Sequence, residues 1–444
     1  MLTRICLAIL ILTCVPAWCQ TETPALPVGI GSATDADLAV PPPVSMQSYA
    51  TTFEGEKNSN YLFGGVAFTT AYSSNVAWSG QPVSDVSYSV WPTIGLDKTT
   101  ERMHLMVDYA PGFTVYQRVS SLNQANQGFS SNFKYRFTPN LSLTVSENFQ
   151  KTSNVFDQPN PLSANPVSGG VPLSAVAILA PAADMLSNLT SAQLAYQISE
   201  SGMVGGGGDY SVYSYTQPDQ VQGLFNSRAA GGSFFYANRV REKLYLGASY
   251  QYQNFLSFQT NAPSTNTQTQ TVFMFLTMYL KSNFSVSLSA GPQYYTSSQA
   301  LLPTESAWQP MTMVSLGWQG EKTNIAASYS RTVSAGYGLN GTFHSNNFNA
   351  SISRRLNRDW TGGISAGYSN LQNLTPAFTT TSVGGHTLFG TASVQRTFNE
   401  HLNAQFGYNW IHQTYPGIQT IAVDPNVNRV FLTLNFTFSK PLQR

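Results

Sequence analysis

Charged side chains are scarce in this chain, so the few that share a face are the first candidates for chemistry. Arg102, His104 and Asp108 have one parity in an alternating segment, and Lys134 and Arg136 share a face in the next. Glu147 is expected to turn toward water, with Val145 and Phe149 on the other face. Opposed basic and acidic groups across a wet constriction would orient polar solutes and set ion preference. The plainer alternative is a set of charges at the wet rims of a wall, where they need only avoid lipid.

Other chemistry is hard to find. The histidines, His104, His344, His386, His401 and His412, show no zinc-type spacing. Serines are plentiful, yet none stands in a Gly-x-Ser-x-Gly nucleophile elbow. Gly205, Gly206, Gly207 and Gly208 suggest a phosphate loop, but Asp209 and Tyr210 follow where Lys and Ser or Thr would reach phosphate and magnesium. Glycine in a strand more often marks a bend or a close approach of other chain atoms. The expectation is a non-enzyme without cofactor or metal.

Strands must position these residues. Val430, Leu432, Leu434, Phe436 and Phe438 alternate with Phe431, Thr433, Asn435 and Thr437. In the segment before, Leu402, Ala404, Phe406, Tyr408 and Trp410 alternate with Asn403, Gln405, Gly407 and Asn409. One greasy and one wet face at a period of two is the pattern of a membrane-spanning strand. It returns from Leu62 onward, between short polar turns and longer loops, one of them expected near residues 259–268.

Roughly eight short turns and about nine longer loops call for about eighteen strands, with sixteen as the alternative count. The expected fold is all-β, a transmembrane antiparallel up-and-down β-barrel, with both termini on the periplasmic side. A bilayer offers no water to unpaired amides, so such strands must close on themselves. A barrel of about this size leaves room for an aqueous channel.

Composition agrees with this fold. Charged residues make up 10% of the 444, against about 25% in soluble globular proteins. Aromatics reach 13% while the mean hydropathy stays negative at -0.14, which suits neither a soluble protein nor a helical membrane protein. No composition break divides the stretch from Leu62 to Phe438, so one domain is expected over residues 61–438.

Arg4, the apolar run Ile5 to Val15 and the small residues Ala17 and Cys19 have the order of a secretory signal over residues 1–19. Cleavage after Cys19 is expected, with Ala17 as a competitor. All three cysteines fall in that signal, so no disulfide or thiolate site is expected beyond it. Removing Arg4 takes the 22 basic and 21 acidic residues to 21 and 21, a balance that recommends no nucleic-acid partner. Residues 20–60 are expected to be a Pro-rich periplasmic tether, and residues 439–444 a short tail.

On these strands, and above all on the aromatic-rich last one, the chain resembles bacterial outer-membrane porin-like barrels from Leu62 to Phe438. The resemblance implies lipid as a partner and a last strand read by the barrel-assembly machinery. Here Ser439 to Arg444 follow Phe438, a departure from barrels that end on the aromatic itself. A narrower similarity, of architecture alone, is to the large barrels of polysaccharide export.

Residues 153–190 are expected to form the longest connection, with Val176, Ile178, Leu179, Met185 and Leu186 too apolar for a loop in water. In the three-subunit porins that the chain resembles, the third outer loop narrows the channel, and this connection is also the third. The expected function is passive passage of polar solutes. Export of a glycan, with Phe273, Phe275 and Tyr279 as stacking platforms, is one alternative. An adhesion or scaffold barrel with a closed bore is another. The oligomeric state is left open.

Overall fold

The structure, a computed structural model, describes residues 60–76, 82–152, 184–215, 224–259, 262–281, 283–299, 303–335, 338–374, 384–415 and 426–442. Eighteen strands form one sheet. In chain order they are β1 (Asn60–Ser73), β2 (Asp85–Thr99), β3 (Met103–Tyr116), β4 (Gln124–Thr138), β5 (Leu141–Thr152) and β6 (Met185–Gln197). Next come β7 (Gly202–Tyr215), β8 (Asn226–Arg241), β9 (Leu244–Gln259), β10 (Ala262–Lys281), β11 (Phe284–Gln299) and β12 (Glu305–Gln319). The last six are β13 (Thr323–Ala335), β14 (Thr342–Arg355), β15 (Trp360–Asn373), β16 (Gly385–Thr397), β17 (Leu402–Thr414) and β18 (Asn426–Pro441). Each strand pairs antiparallel with its neighbours in sequence, and β1 pairs with β18 to close the wall.

The wall separates two media. Val66, Phe68, Phe234, Tyr236, Phe406, Leu432, Leu434 and Phe436 point outward and stay exposed, whereas Thr69, Ser257, Thr271, Ser289, Thr387 and Thr433 point inward and are buried. An outward belt of this kind is stable against hydrocarbon, and the closed ladder leaves no edge strand to aggregate. Across the closing seam the Thr69 and Thr433 hydroxyls meet at 2.8 Å.

Inward-facing rings lie over glycines of the adjoining strand. Phe63 covers Gly95, Phe235 covers Gly205, Phe275 covers Gly247, Phe389 covers Gly367 and Phe431 covers Gly407. Each pair is a direct cross-strand pair. A Cβ at Gly247 would stand 2.1 Å from the Phe275 ring, so the ring needs the bare backbone to lie against the wall.

At one rim the turns are short and side-chain capped. Asn399 Oδ1 accepts from the His401 and Leu402 amides at 2.9 and 2.8 Å, and Asn357 Oδ1 accepts from Asp359 and Trp360, both at 2.9 Å. These are Asx turns, the local geometry that Asn is suited to make.

The structure alters three expectations about elements. β18 runs on through Ser439, Lys440 and Pro441, which pair with Phe63, Leu62 and Tyr61, so these residues are strand and not tail. Met185 and Leu186 begin β6, opposite Thr152 and Lys151, so they do not belong to a constriction loop. Val176, Ile178 and Leu179 lie outside the described residues, as do residues 1–59 with the expected signal and most of the tether. Residues 259–268, expected as a loop, are mostly strand: β9 ends at Gln259 and β10 begins at Ala262.

At the opposite rim the barrel is not a simple cylinder. β12 and β13 pair only between Thr312–Gln319 and Asn324–Arg331. Above Arg331, β13 parts from β12 and bends inward, still paired with β14 from Val333 and His344 up to Ala335 and Thr342, while β14 keeps its own ladder to β15 up to Phe343 and Asn373. The turn joining them is glycine-dependent: Gly338 and Gly341 take φ of 117° and 133°, a region that side chains resist.

Candidate functional site: the lumen and its inturned hairpin

The inturned ends of β13 and β14 rest on the inner faces of β10 and β11. The Val333 amide donates to Gln293 Oε1 at 2.8 Å. Thr342 donates to the Ser297 hydroxyl at 2.7 Å and stands 2.6 Å from that of Thr267. Thr265 donates to Asn340 Oδ1 at 2.7 Å, and Asn340 Nδ2 donates to the Pro263 carbonyl at 3.3 Å. The Phe225 amide reaches the Gly338 carbonyl at 3.0 Å, which ties the hairpin to the entry of β8. Within the hairpin, Arg331 Nε donates to His344 Nε2 at 2.6 Å.

The interface is hydroxyl-rich because the strands it covers present their lumen faces. Thr265, Thr267, Thr269, Thr271, Gln293 and Ser297 are all buried there. Large side chains at the same end of the barrel, among them Tyr215, Leu224, Leu339, Phe343, Leu371 and Tyr415, are fully buried. Tyr215 of β7 and Tyr415 at the end of β17 come from different sides of the ring yet are near enough to interact electrostatically. Burial pushes the Tyr415 phenol up to about 12, so it is neutral at any physiological pH. This half of the lumen is therefore narrowed by side chains and by one hairpin.

The expected charged residues occupy three different places. Asp108 is buried on the inward face and accepts from Ser130 of β4. Lys134 and Arg136 share the parity of Ser130, opposite the exposed Phe137. His104 pairs with Asp97 at 3.1 Å near the short-turn rim, and the Arg136 amide bonds the Arg102 carbonyl at 2.8 Å, so Arg102 belongs to the turn itself. Most of this group thus forms a belt at one rim, not a constriction.

Glu147 is a correction. It lies opposite Ser131 and Thr190, in register with Phe133 and Val145 and away from the inward Asp108 row. It therefore shares the outward face with Val145 and Phe149, as residues two apart in a strand must. Asn188 and Thr190 donate to its carboxylate, which supplies the bonds that lipid cannot.

Several inward charges were not singled out as lumen residues, Asp85, Asp209 and Arg429 among them. Asp209 of β7 is bonded to Gln253 of β9, and Arg429 of β18 is buried with its guanidinium 5.4 Å from the Phe431 ring. The signal was in the sequence, since Asp209 alternates with Tyr210 and Arg429 with Val430, and both exposed neighbours face outward.

Phe273 and Phe275 are 7% and 2% exposed and pack with Phe235, Met311 and Met313. Tyr279 meets Tyr245 edge-on at 6.1 Å. Rings buried in one another do not offer faces for a sugar. No group of His, Cys, Asp and Glu suited to a metal exists among the described residues. His386 and His412 stack on each other at 5.6 Å, and His401 Nδ1 bonds the Thr437 carbonyl at 2.9 Å.

No protein-family model and no curated protein sequence matches the chain. Among solved structures, OpdO of Pseudomonas aeruginosa overlaps with a TM-score of 0.43 at 10% identity, covering 86% of this chain and 97% of that one. OccAB4 of Acinetobacter baumannii gives 0.43 at 8% identity over 87% and 99%. The siderophore receptor PirA of P. aeruginosa gives 0.40 at 9% over 86% and 81%.

Proposed function

We propose that this porin-like barrel is an outer-membrane channel for the passive passage of polar solutes. The observation behind it is the two-faced closed wall, apolar outward and lined inward by hydroxyl and amide side chains over eighteen strands. Such a wall needs hydrocarbon on one side and water on the other, and a ring of this size is wide enough to hold both a water path and its side chains. With the short-turn rim periplasmic, Lys134 and Arg136 stand at the inner entrance, and the β13–β14 hairpin narrows the outer half.

The burial of Phe273 and Phe275 removes the platforms on which a glycan-export reading was built. The adhesion or scaffold reading has an observation in its favour, the buried side chains at the outer end. Conductance across a planar bilayer separates the two. Stepwise, ohmic currents from the purified full chain support the channel, whereas silence over a range of salt and voltage, with no solute entry into proteoliposomes, supports the scaffold.

A further inference from the structure

The hairpin that narrows the lumen retains the marks of a wall strand. Thr332 and Ser334 continue the inward parity of Ser328 and Ser330, and Val333 continues the outward parity of Ile325 and Tyr329. Each step up β13 from Arg331 would meet one step back along β12 from Thr312. The continued register sets Thr332 opposite Met311, Val333 opposite Pro310, Ser334 opposite Gln309 and Ala335 opposite Trp308. In the structure those pairs are absent, and β12 from Glu305 to Met311 is laddered to β11 alone.

Strand prolines show why β13 departs where it does. Pro92 pairs fully with β1 and Pro111 with β4, while the β2–β3 ladder between them is interrupted from Val90 to Ile94. Pro292 pairs fully with β12, and the β10–β11 ladder breaks beside it. Each proline thus has one intact ladder and one broken one, as expected of a residue without an N–H. Pro310 has its intact ladder with β11, opposite Pro292. Two prolines can face each other only where no N–H···O bonds are exchanged, so by the alternation of an antiparallel ladder the Pro310 nitrogen is directed at β13. Elsewhere the ladder resumes past the proline. Here it does not.

In the tucked position Thr332 and Ser334 are buried, 5% and 3% exposed. On the wall, Thr332 and Ser334 would face lumen water.

We propose that the outer halves of β13 and β14 are a gate with two seats: tucked onto β10 and β11, or laddered onto β12 between Trp308 and Met311, which clears the outer lumen. Hydrogen bonds from Gln293, Thr265, Thr267 and Ser297 hold the tucked seat, and the missing N–H of Pro310 weakens the other. The gate regulates the channel proposed above and rests on that reading.

The test is a double variant, Thr267→Cys with Thr342→Cys, in the full chain. The two hydroxyls are 2.6 Å apart, and residues 60–442 contain no other cysteine. Oxidised channels should show only the small conductance level, and reductant should restore transitions to a larger one. Pro310→Ala should raise the ratio of large to small level occupancy about fivefold, the effect of one added ladder hydrogen bond. Equal traces before and after reduction, with the disulfide verified, overturn the gate while the channel stands. Should the pair not oxidise, Pro310→Ala decides alone, and an unchanged ratio overturns the gate. Silence from wild type and every variant defeats the channel reading itself.

Discussion

Leu434 and Asn435 are adjacent in sequence and face different media: Leu434 is 43% exposed on the outward face, and Asn435 is 5% exposed and donates to Asn403 Oδ1 at 2.9 Å. Leu434→Arg should therefore cost about 2 to 4 kcal/mol if the site lies near the midplane. Asn435→Arg should cost about 1 kcal/mol, the loss of one hydrogen bond. Urea titration of the barrel in lipid vesicles compares them, and equal losses would refute the register. Charge follows the same logic. Lys134→Glu with Arg136→Glu should move the reversal potential in asymmetric salt toward cation preference. Glu147→Gln should leave it where it was, because that side chain is outside the bore. Parity alone could have placed Glu147, since 145, 147 and 149 fall on one side of any strand. Its donors Asn188 and Thr190 could not have been foreseen, because they come from β6 across an unspecified register.

At the scale of elements, a strand is legible in sequence only where one of its faces meets lipid. β17 and β18 were plain for that reason. The start of β10 was not: Thr265, Thr267, Thr269 and Thr271 point inward while Gln268 and Gln270 point outward and are exposed, so both faces are polar. The inturned hairpin was hidden by the opposite circumstance, because Val333 carries a lipid-type pattern into the lumen. Glycine roles divide by face as well. A Cβ at inward Gly247 would stand 2.1 Å from the Phe275 ring and 2.4 Å from the Tyr236 carbonyl, whereas one at outward Gly232 meets nothing closer than 3.6 Å. Gly247→Ala should cost about 1 to 3 kcal/mol by overpacking, and Gly232→Ala should fall within about 0.5 kcal/mol of wild type. Matching urea midpoints for the two would mean that the rings do not need their glycines.

For the whole molecule the decisive contact joins the two ends of the described chain. β1 meets β18 from Tyr61 and Pro441 to Ser73 and Arg429, and every other ladder depends on that closure to avoid an edge in hydrocarbon. Closure follows in kind from the alternation and the turn count, because a membrane permits nothing else. The register of the seam does not, since it depends on how far each strand slides against its neighbours. Ala67 tests it: this residue is buried, and it is laddered to Trp91 on one side and Asn435 on the other. Unlike Pro310, a proline at this position would have two intact ladders and nowhere to direct its missing N–H. Ala67→Pro should leave at least one backbone group unpaired at a cost of several kcal/mol. The unboiled variant should lose the compact, heat-resistant mobility of a folded barrel on a detergent gel, while Pro310→Ala keeps it. If Ala67→Pro migrates as the folded form does, β1 is not locked between β2 and β18, and the ring is closed by some other pairing.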